Sequence, residues 1–301
     1  MAVKTTERKA VSGMPFANMN GVMLHYRVKG TGVPIVFIHP PLLAGNVFHR
    51  QLTGLAGRFQ AIVPDLRGHG QSEKGERSIT YALLAEDIVS LLDELEIKKA
   101  YLCGYSTGGS VALEALLTYP ERFYGGILVS AMSEVGTLRL RSEIWAAVRL
   151  TGLRVKRLAA AVIALGNADR ADTFKRLYDA ALQGAVERLH EYFRCSLHYN
   201  CTHRLHEIDN PILLLYGEKD KLFLHHRRLL QRELRNETFR IVKRAGHQIP
   251  TKAAEDMNGH IRDWIDRQDP WKLAPRERAD SRYEALLTFE SYEDEQQREF
   301  T

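Results

Sequence analysis

Four short apolar runs constrain this chain most: Ile35-Val-Phe-Ile38, Ala100-Tyr-Leu-Cys-Gly104, Gly126-Ile-Leu-Val-Ser130 and Pro211-Ile-Leu-Leu-Leu-Tyr216. A strand with one wet face alternates polar and apolar residues. A run that is apolar throughout reads as a strand buried on both faces, and such strands belong to parallel sheets covered by helices. The segments between them fit that requirement. Tyr81 to Leu95 has helical apolar spacing with Glu86 and Asp87 facing out, and Gly108 to Tyr119 is a helix ended by Pro120. Gln60-Ala-Ile-Val63 and Thr238-Phe-Arg-Ile-Val242 read as further strands, with helices at about 222–234 and 252–267. Phe16 to Arg27 reads as a β-hairpin, because Asn20-Gly21 supplies the positive φ angles of a type I′ turn. The expected fold class is α/β, a mostly parallel central sheet with right-handed crossovers and flanking helices.

The rhythm breaks between Ser133 and about Asp209. That stretch has helical periodicity and no convincing strand, which predicts a helical lid inserted over the sheet at 133–209. The core then divides into residues 15–132 and 210–267, flanked by a flexible N-terminus at 1–14 and a charged tail at 268–301 that reads as extended or disordered. The first part of the lid is basic: Arg139, Arg141, Arg149, Arg154, Lys156 and Arg157 face one acid, Glu143. A solvated helix face accounts for this more simply than attraction to an anion or a membrane.

Composition narrows the partners. The 301 residues are 45% hydrophobic, and 42 basic residues against 37 acidic give a net charge of +5. That excess is too mild for a nucleic-acid binder, and no basic motif with interleaved aromatics appears. No apolar run is long enough to span a membrane. The charged N-terminus carries no secretory signal, and three cysteines suit a reducing compartment, so a cytoplasmic protein is expected.

The chemistry begins at Gly104-Tyr-Ser106-Thr-Gly108, a Gly-x-Ser-x-Gly pattern where a strand gives way to a helix. In that setting a serine sits on a strained turn with its Oγ lifted above the sheet and a helix N-terminus behind it. A serine hydroxyl needs a base, and the base needs an orienting acid. Asp220 follows the next-to-last strand in Gly217-Glu-Lys-Asp220, and His247 follows the last one in Ala245-Gly246-His247-Gln248. Both lie at the C-terminal ends of strands, where open α/β sheets bind ligands.

In these motifs the chain resembles serine hydrolases of the α/β-hydrolase fold over roughly residues 15–267. Pro64-Asp65-Leu-Arg67-Gly68-His69-Gly70-Gln-Ser72 is similar to that family's Asp-x-Arg-Gly-x-Gly-x-Ser loop. The resemblance implies Ser106 as nucleophile, His247 as base and Asp220 as acid, with Glu134 an alternative position for the acid. One departure matters. Where the family has His-Gly-x, with x donating a backbone N–H to the oxyanion hole, this chain has His39-Pro40-Pro41-Leu42. Proline has no N–H, so the expected donors are Thr107 and, from a re-routed loop, Leu42.

The expected activity is hydrolysis of a small ester, lactone or related acyl substrate through an acyl-enzyme. Carbon–carbon bond hydrolysis, cofactor-free haloperoxidase activity and slow-turnover ligand sensing on the same fold stay open, because substrate choice lives in the pocket. Candidate substrate contacts are His39, Tyr105 and Trp145, with Leu150, Phe174, Tyr178, Tyr192 and Phe193 as further walls. No cofactor and no metal are expected: no nucleotide loop is present, and Cys195, Cys201, His198 and His203 lack zinc spacing. Cys103 reads as core packing and His69 as structural. The partner is then a small acyl molecule, and the protein a monomer or homodimer.

Overall fold

The computed structural model describes residues 16–153 and 155–268. The expectations for 1–14 and for the tail lie outside the described residues, save Gln268, which ends the last helix.

Among the described residues eight strands form one sheet in the order β1-β2-β4-β3-β5-β6-β7-β8. β1 (Phe16–Met19) and β2 (Val22–Lys29) are the expected hairpin. Met19 pairs with Val22, so Asn20 and Gly21 alone make the turn, with φ of 51° and 79°. β2 runs antiparallel to β4 (Phe59–Pro64). From β4 onward every pairing is parallel, through β3 (Val33–Ile38), β5 (Ala100–Tyr105), β6 (Phe123–Val129), β7 (Ile212–Gly217) and β8 (Glu237–Val242).

The helices are α1 (His49–Gly54), α2 (Tyr81–Glu94), α3 (Thr107–Thr118), α4 (Leu138–Gly152), α5 (Lys156–Asn167), α6 (Ala171–Gln183), α7 (Val186–His198), α8 (Leu224–Glu233), α9 (Ile249–Lys252) and α10 (Ala254–Gln268). They cover both faces, and the period-two rule sorts the strand residues between them. Val36, Ile38, Leu102 and Leu214 pack with Leu84, Val111 and Leu230 of α2, α3 and α8. Ile35, Phe37, Cys103 and Leu213 pack with Leu52, Ile261 and Trp264 of α1 and α10. The central strands β3, β5, β6 and β7, covered on both faces, are therefore apolar along their length.

One outward assignment needs correction. Asp87 of α2 is buried, because Arg67 reaches it with two hydrogen bonds of 2.6 Å. A buried carboxylate is tolerated only when paired in this way, and the pair ties the loop after β4 to α2.

Between β6 and β7 the chain forms α4 to α7. The two ends of this insertion meet: Glu134 and Asn200 form an isolated β-bridge, and the Cys201 N–H donates to Ser133 O at 3.0 Å. Further contacts hold it to the main body. Arg188 of α7 donates to the carbonyls of Lys74, Gly75 and Glu76, and Tyr192 Oη donates to His39 O at 3.1 Å. Among the described residues no helix is long and apolar enough to cross a membrane.

Candidate active site

The chain leaves β3 toward β4 on one side and reaches β5 on the other, so the strand order reverses between β3 and β5. Such a switch point opens a crevice at the carboxyl ends of the two strands. Here those ends are the His39-Pro-Pro-Leu42 loop and Ser106.

Ser106 has φ 54° and ψ −123°, a strained backbone for a residue with a Cβ. Its own N–H is held by Val129 O at 2.9 Å, and its carbonyl accepts the Gly109 N–H at 2.9 Å. The tight turn needs bare neighbours. A Cβ on Gly104 would lie 2.5 Å from Gly108 O, and one on Gly108 would lie 2.2 Å from Ile38 O.

The loops after β7 and β8 bring the other two residues in. Gly217 and Gly246 touch so closely that a Cβ on Gly217 would be 2.1 Å from Gly246 O. His247 Nε2 lies 3.2 Å from Ser106 Oγ, and His247 Nδ1 lies 2.9 Å from Asp220 Oδ2. The carboxylate can only accept, which puts the ring proton on Nδ1 and leaves Nε2 to receive the serine proton. Asp220 is nearly sealed, at 2% side-chain exposure, and its other oxygen faces the Phe223 N–H at 3.4 Å. The ring of Phe223 lies against that of His247, centroids 4.2 Å apart, and limits where the imidazole can turn. Glu134 stands elsewhere: its carboxylate accepts from Asn200 Nδ2 at 2.8 Å and Thr202 Oγ1 at 2.7 Å.

The Thr107 N–H lies in the first turn of α3, where a helix offers it no acceptor. Leu42 is held at φ 70° and Ala44 at φ 49°, so the proline-bearing loop is strained as well. Among the described residues nothing accepts the Leu42 N–H. The Leu42 side chain turns into the core, whereas Pro40, Pro41 and Leu43 line the cavity.

That cavity has a volume of about 320 Å³ and reaches Ser106, Thr107, Asp220 and His247. Its walls are mostly apolar, with Met132, Ile144, Ile163 and Leu222 among them. Tyr105 lines it and donates from its Oη to Asn167 Oδ1 at 3.1 Å. Two expected contacts are corrected. His39 is fully buried behind the loop: its Nε2 accepts the Leu66 N–H and its Nδ1–H donates to Pro40 O, both at 2.9 Å. Trp145 is 55% exposed with the Arg149 guanidinium over its ring, because Leu140, Ile144 and Ala147 take the inward face of α4. Of the further walls, Phe193 lines the cavity; Leu150, Phe174 and Tyr178 pack against the two cores, and Tyr192 is buried. Glu143, which the sequence marks only as the one acid of a basic stretch, also lines the cavity, as do Asn167 and Phe223, which nothing in the sequence marks from their neighbours.

Behind the loop, the His39 and His69 rings lie tilted to one another with centroids 5.1 Å apart, and His69 meets Tyr192 edge-on at 5.5 Å. Burial pushes His39 down to about 4 against the pull of Asp65, and burial with His39 alongside pushes His69 down to about 3, from an ordinary value of 6.5. Above those values both rings stay neutral in the fold, and below pH 6.5 each takes up a proton on unfolding. Their contribution is therefore complete above pH 6.5 and lost as pH falls toward the folded values. Between pH 6.5 and about 4, stability should drop by about 1.4 kcal/mol per pH unit for each ring. Urea midpoints at successive pH values test this, and a flat midpoint would contradict it.

Known proteins share this arrangement of the chain. The family profile described as the alpha/beta hydrolase fold matches residues 33–250. An uncharacterized hydrolase, YugF, of Bacillus subtilis is 26% identical over 85% of this chain and 99% of its own. The serine hydrolase BPHL of Homo sapiens is 26% identical over 82% of this chain and 84% of its own. The solved structure of a thermophilic esterase from Thermogutta terrifontis, 23% identical, superposes with a TM-score of 0.72 over 85% of this chain and 97% of its own. A profile match across most of the length and relatives spanned nearly end to end carry one conclusion: this chain is a hydrolase belonging to the α/β-hydrolase fold family.

Proposed function

We propose that the chain is a cofactor-independent serine hydrolase acting on a small ester, lactone or related acyl substrate. The observation that carries this reading is the continuous line Ser106 Oγ to His247 Nε2 at 3.2 Å and His247 Nδ1 to Asp220 Oδ2 at 2.9 Å. Ser106 Oγ attacks the substrate carbonyl while His247 Nε2 takes its proton, and Asp220 holds the tautomer and stabilises the imidazolium. The tetrahedral oxyanion is met by the Thr107 N–H, backed by the N-terminus of α3, and by the Leu42 N–H. His247 returns the proton to the leaving group, giving an acyl-Ser106 ester. A water then loses its proton to His247 and attacks that ester, which releases the acid and restores Ser106.

A cavity of about 320 Å³ lies at the lower end of ordinary small-molecule sites, which supports a compact acyl group. With p-nitrophenyl esters from acetyl to dodecanoyl, we expect repeated turnover with an optimum among the short chains. A fluorophosphonate probe should attach to Ser106 and abolish that turnover. A folded protein that turns over none of these esters and refuses the probe would overturn the reading.

A further inference from the structure

We propose that the outer face of α4 and α5 docks the protein on an anionic lipid surface, with the cavity mouth beside the membrane. Eight large apolar side chains stand out among the described residues as exposed, and seven of them fall between Leu138 and Leu165. Scattered exposed leucines are ordinary, but a cluster marks a contact surface. On α5 the buried side is taken by Ala159, Ala160 and Ala164. Leu158, Val162 and Leu165, at i, i+4 and i+7, form a second apolar stripe that is 52%, 56% and 70% exposed. On α4, Leu138 and Trp145 repeat the pattern at 87% and 55%.

The charges interleaved with this face select the partner, and the exposed apolar side chains among them replace the solvated-face reading of the basic stretch. Glu143 is the one acid between residues 138 and 165, against Arg139, Arg141, Arg149, Arg154, Lys156 and Arg157. Arg139 answers Glu143 at 3.2 Å, Lys156 donates to the carbonyls of Leu182 and Gly184, and Arg149 covers the Trp145 ring at 5.5 Å. Arg141 and Arg157 are exposed cations, one a helical turn on from Leu138 and the other next to Leu158 in sequence. Leucine and tryptophan side chains among arginines are the composition of a surface that beds into the boundary of headgroups and acyl chains. A second copy fits poorly, since a two-fold contact would press the same cations together. Val162 is both exposed and part of the cavity wall, with Leu140, Ile144, Ile163 and Gly166 of the same helices. An apolar substrate could then pass from lipid to cavity along apolar side chains.

The test is flotation of the full chain with phosphatidylglycerol–phosphatidylcholine vesicles and with phosphatidylcholine alone. Binding should be roughly ten-fold or more tighter to the anionic vesicles and should weaken steeply with salt. The double variants Leu158→Glu/Leu165→Glu and Arg141→Gln/Arg157→Gln should each weaken it by about ten-fold or more. Their melting temperatures should match the wild type, because all four side chains point to solvent. Two results would overturn the proposal: no flotation of the wild type with anionic vesicles at low salt, or flotation that neither double variant changes. If flotation fails and cross-linking places the acidic stretch Glu290 to Glu299 on α5, the face is covered by the chain itself and the lipid proposal falls.

Discussion

Ser106→Ala is expected to lower kcat on a p-nitrophenyl ester by about 10⁵-fold or more, and Asp220→Asn by about 10⁴-fold. The serine variant removes the attacking atom. The asparagine variant is subtler, because it keeps the shape and changes the proton. Asp220 Oδ2 receives the His247 Nδ1–H at 2.9 Å. An amide placed there can present its own N–H instead, which drives the ring proton to Nε2 and leaves nothing to accept from Ser106. Glu134→Gln is the matched control. Its carboxylate serves Asn200 and Thr202, so kcat should stay within about two-fold. Steady-state kinetics on the three proteins, with circular dichroism to show that each is folded, decides the assignment. If Glu134→Gln cost as much as Asp220→Asn, the acid would have been placed on the wrong strand.

Gly108→Ala should cost about 3 kcal/mol or more in stability and lower kcat as well. The new methyl would sit 2.2 Å from Ile38 O, 2.8 Å from Ile38 C and 3.1 Å from His39 C. All three are backbone atoms at the end of β3, so the clash cannot be relieved by turning a side chain. Relief requires α3 and the proline loop to separate, which pulls the Thr107 and Leu42 N–H groups apart. Gly259→Ala in α10 makes the contrast, since a Cβ there meets nothing within 4 Å. It should raise stability by about 0.5–1 kcal/mol through backbone entropy alone. Denaturant unfolding of both variants measures the difference, and equal midpoints would show that the close approach is not as tight as the geometry states.

What could be read before the structure follows from which forces are local. The strands at Ile35, Ala100, Gly126 and Ile212 were legible because burial on both faces removes polar residues from the run itself. The Asn20-Gly21 turn was legible because few residues accept positive φ. Ser106, His247 and Asp220 could be nominated because each follows a strand, and strand ends converge wherever the sheet is parallel. The burial of Asp87 is not legible in its own helix, because its partner, Arg67, lies twenty residues away in sequence. α1 escaped notice because six residues carry too little periodicity. Trp145 and His39 lie away from the cavity for one reason: which face of an element meets it depends on tertiary packing, and single-sequence patterns do not record that. The roof residues Asn167 and Glu143 fall under the same limit.

The pinched neck of the insertion has a consequence for how such a protein can be altered. Glu134 and Asn200 are 66 positions apart in sequence yet joined by a hydrogen bond of 2.8 Å, with Ser133 and Thr202 linked beside them at 2.8 Å. Everything between these points is a closed excursion that leaves and rejoins the scaffold at one place. Changing its length alters the closure entropy only logarithmically, by about 0.6 kcal/mol per doubling. The segment is therefore a cassette: another helical roof with the same four-residue clasp, and with the Arg188 and Tyr192 contacts to the main body kept, should be exchangeable for it while the sheet holds Ser106, Asp220 and His247 in place. Replacing it should therefore change which molecules fit beneath Ile144 and Ile163, while Pro40, Pro41 and Leu222 keep the sheet side of the cavity as it is.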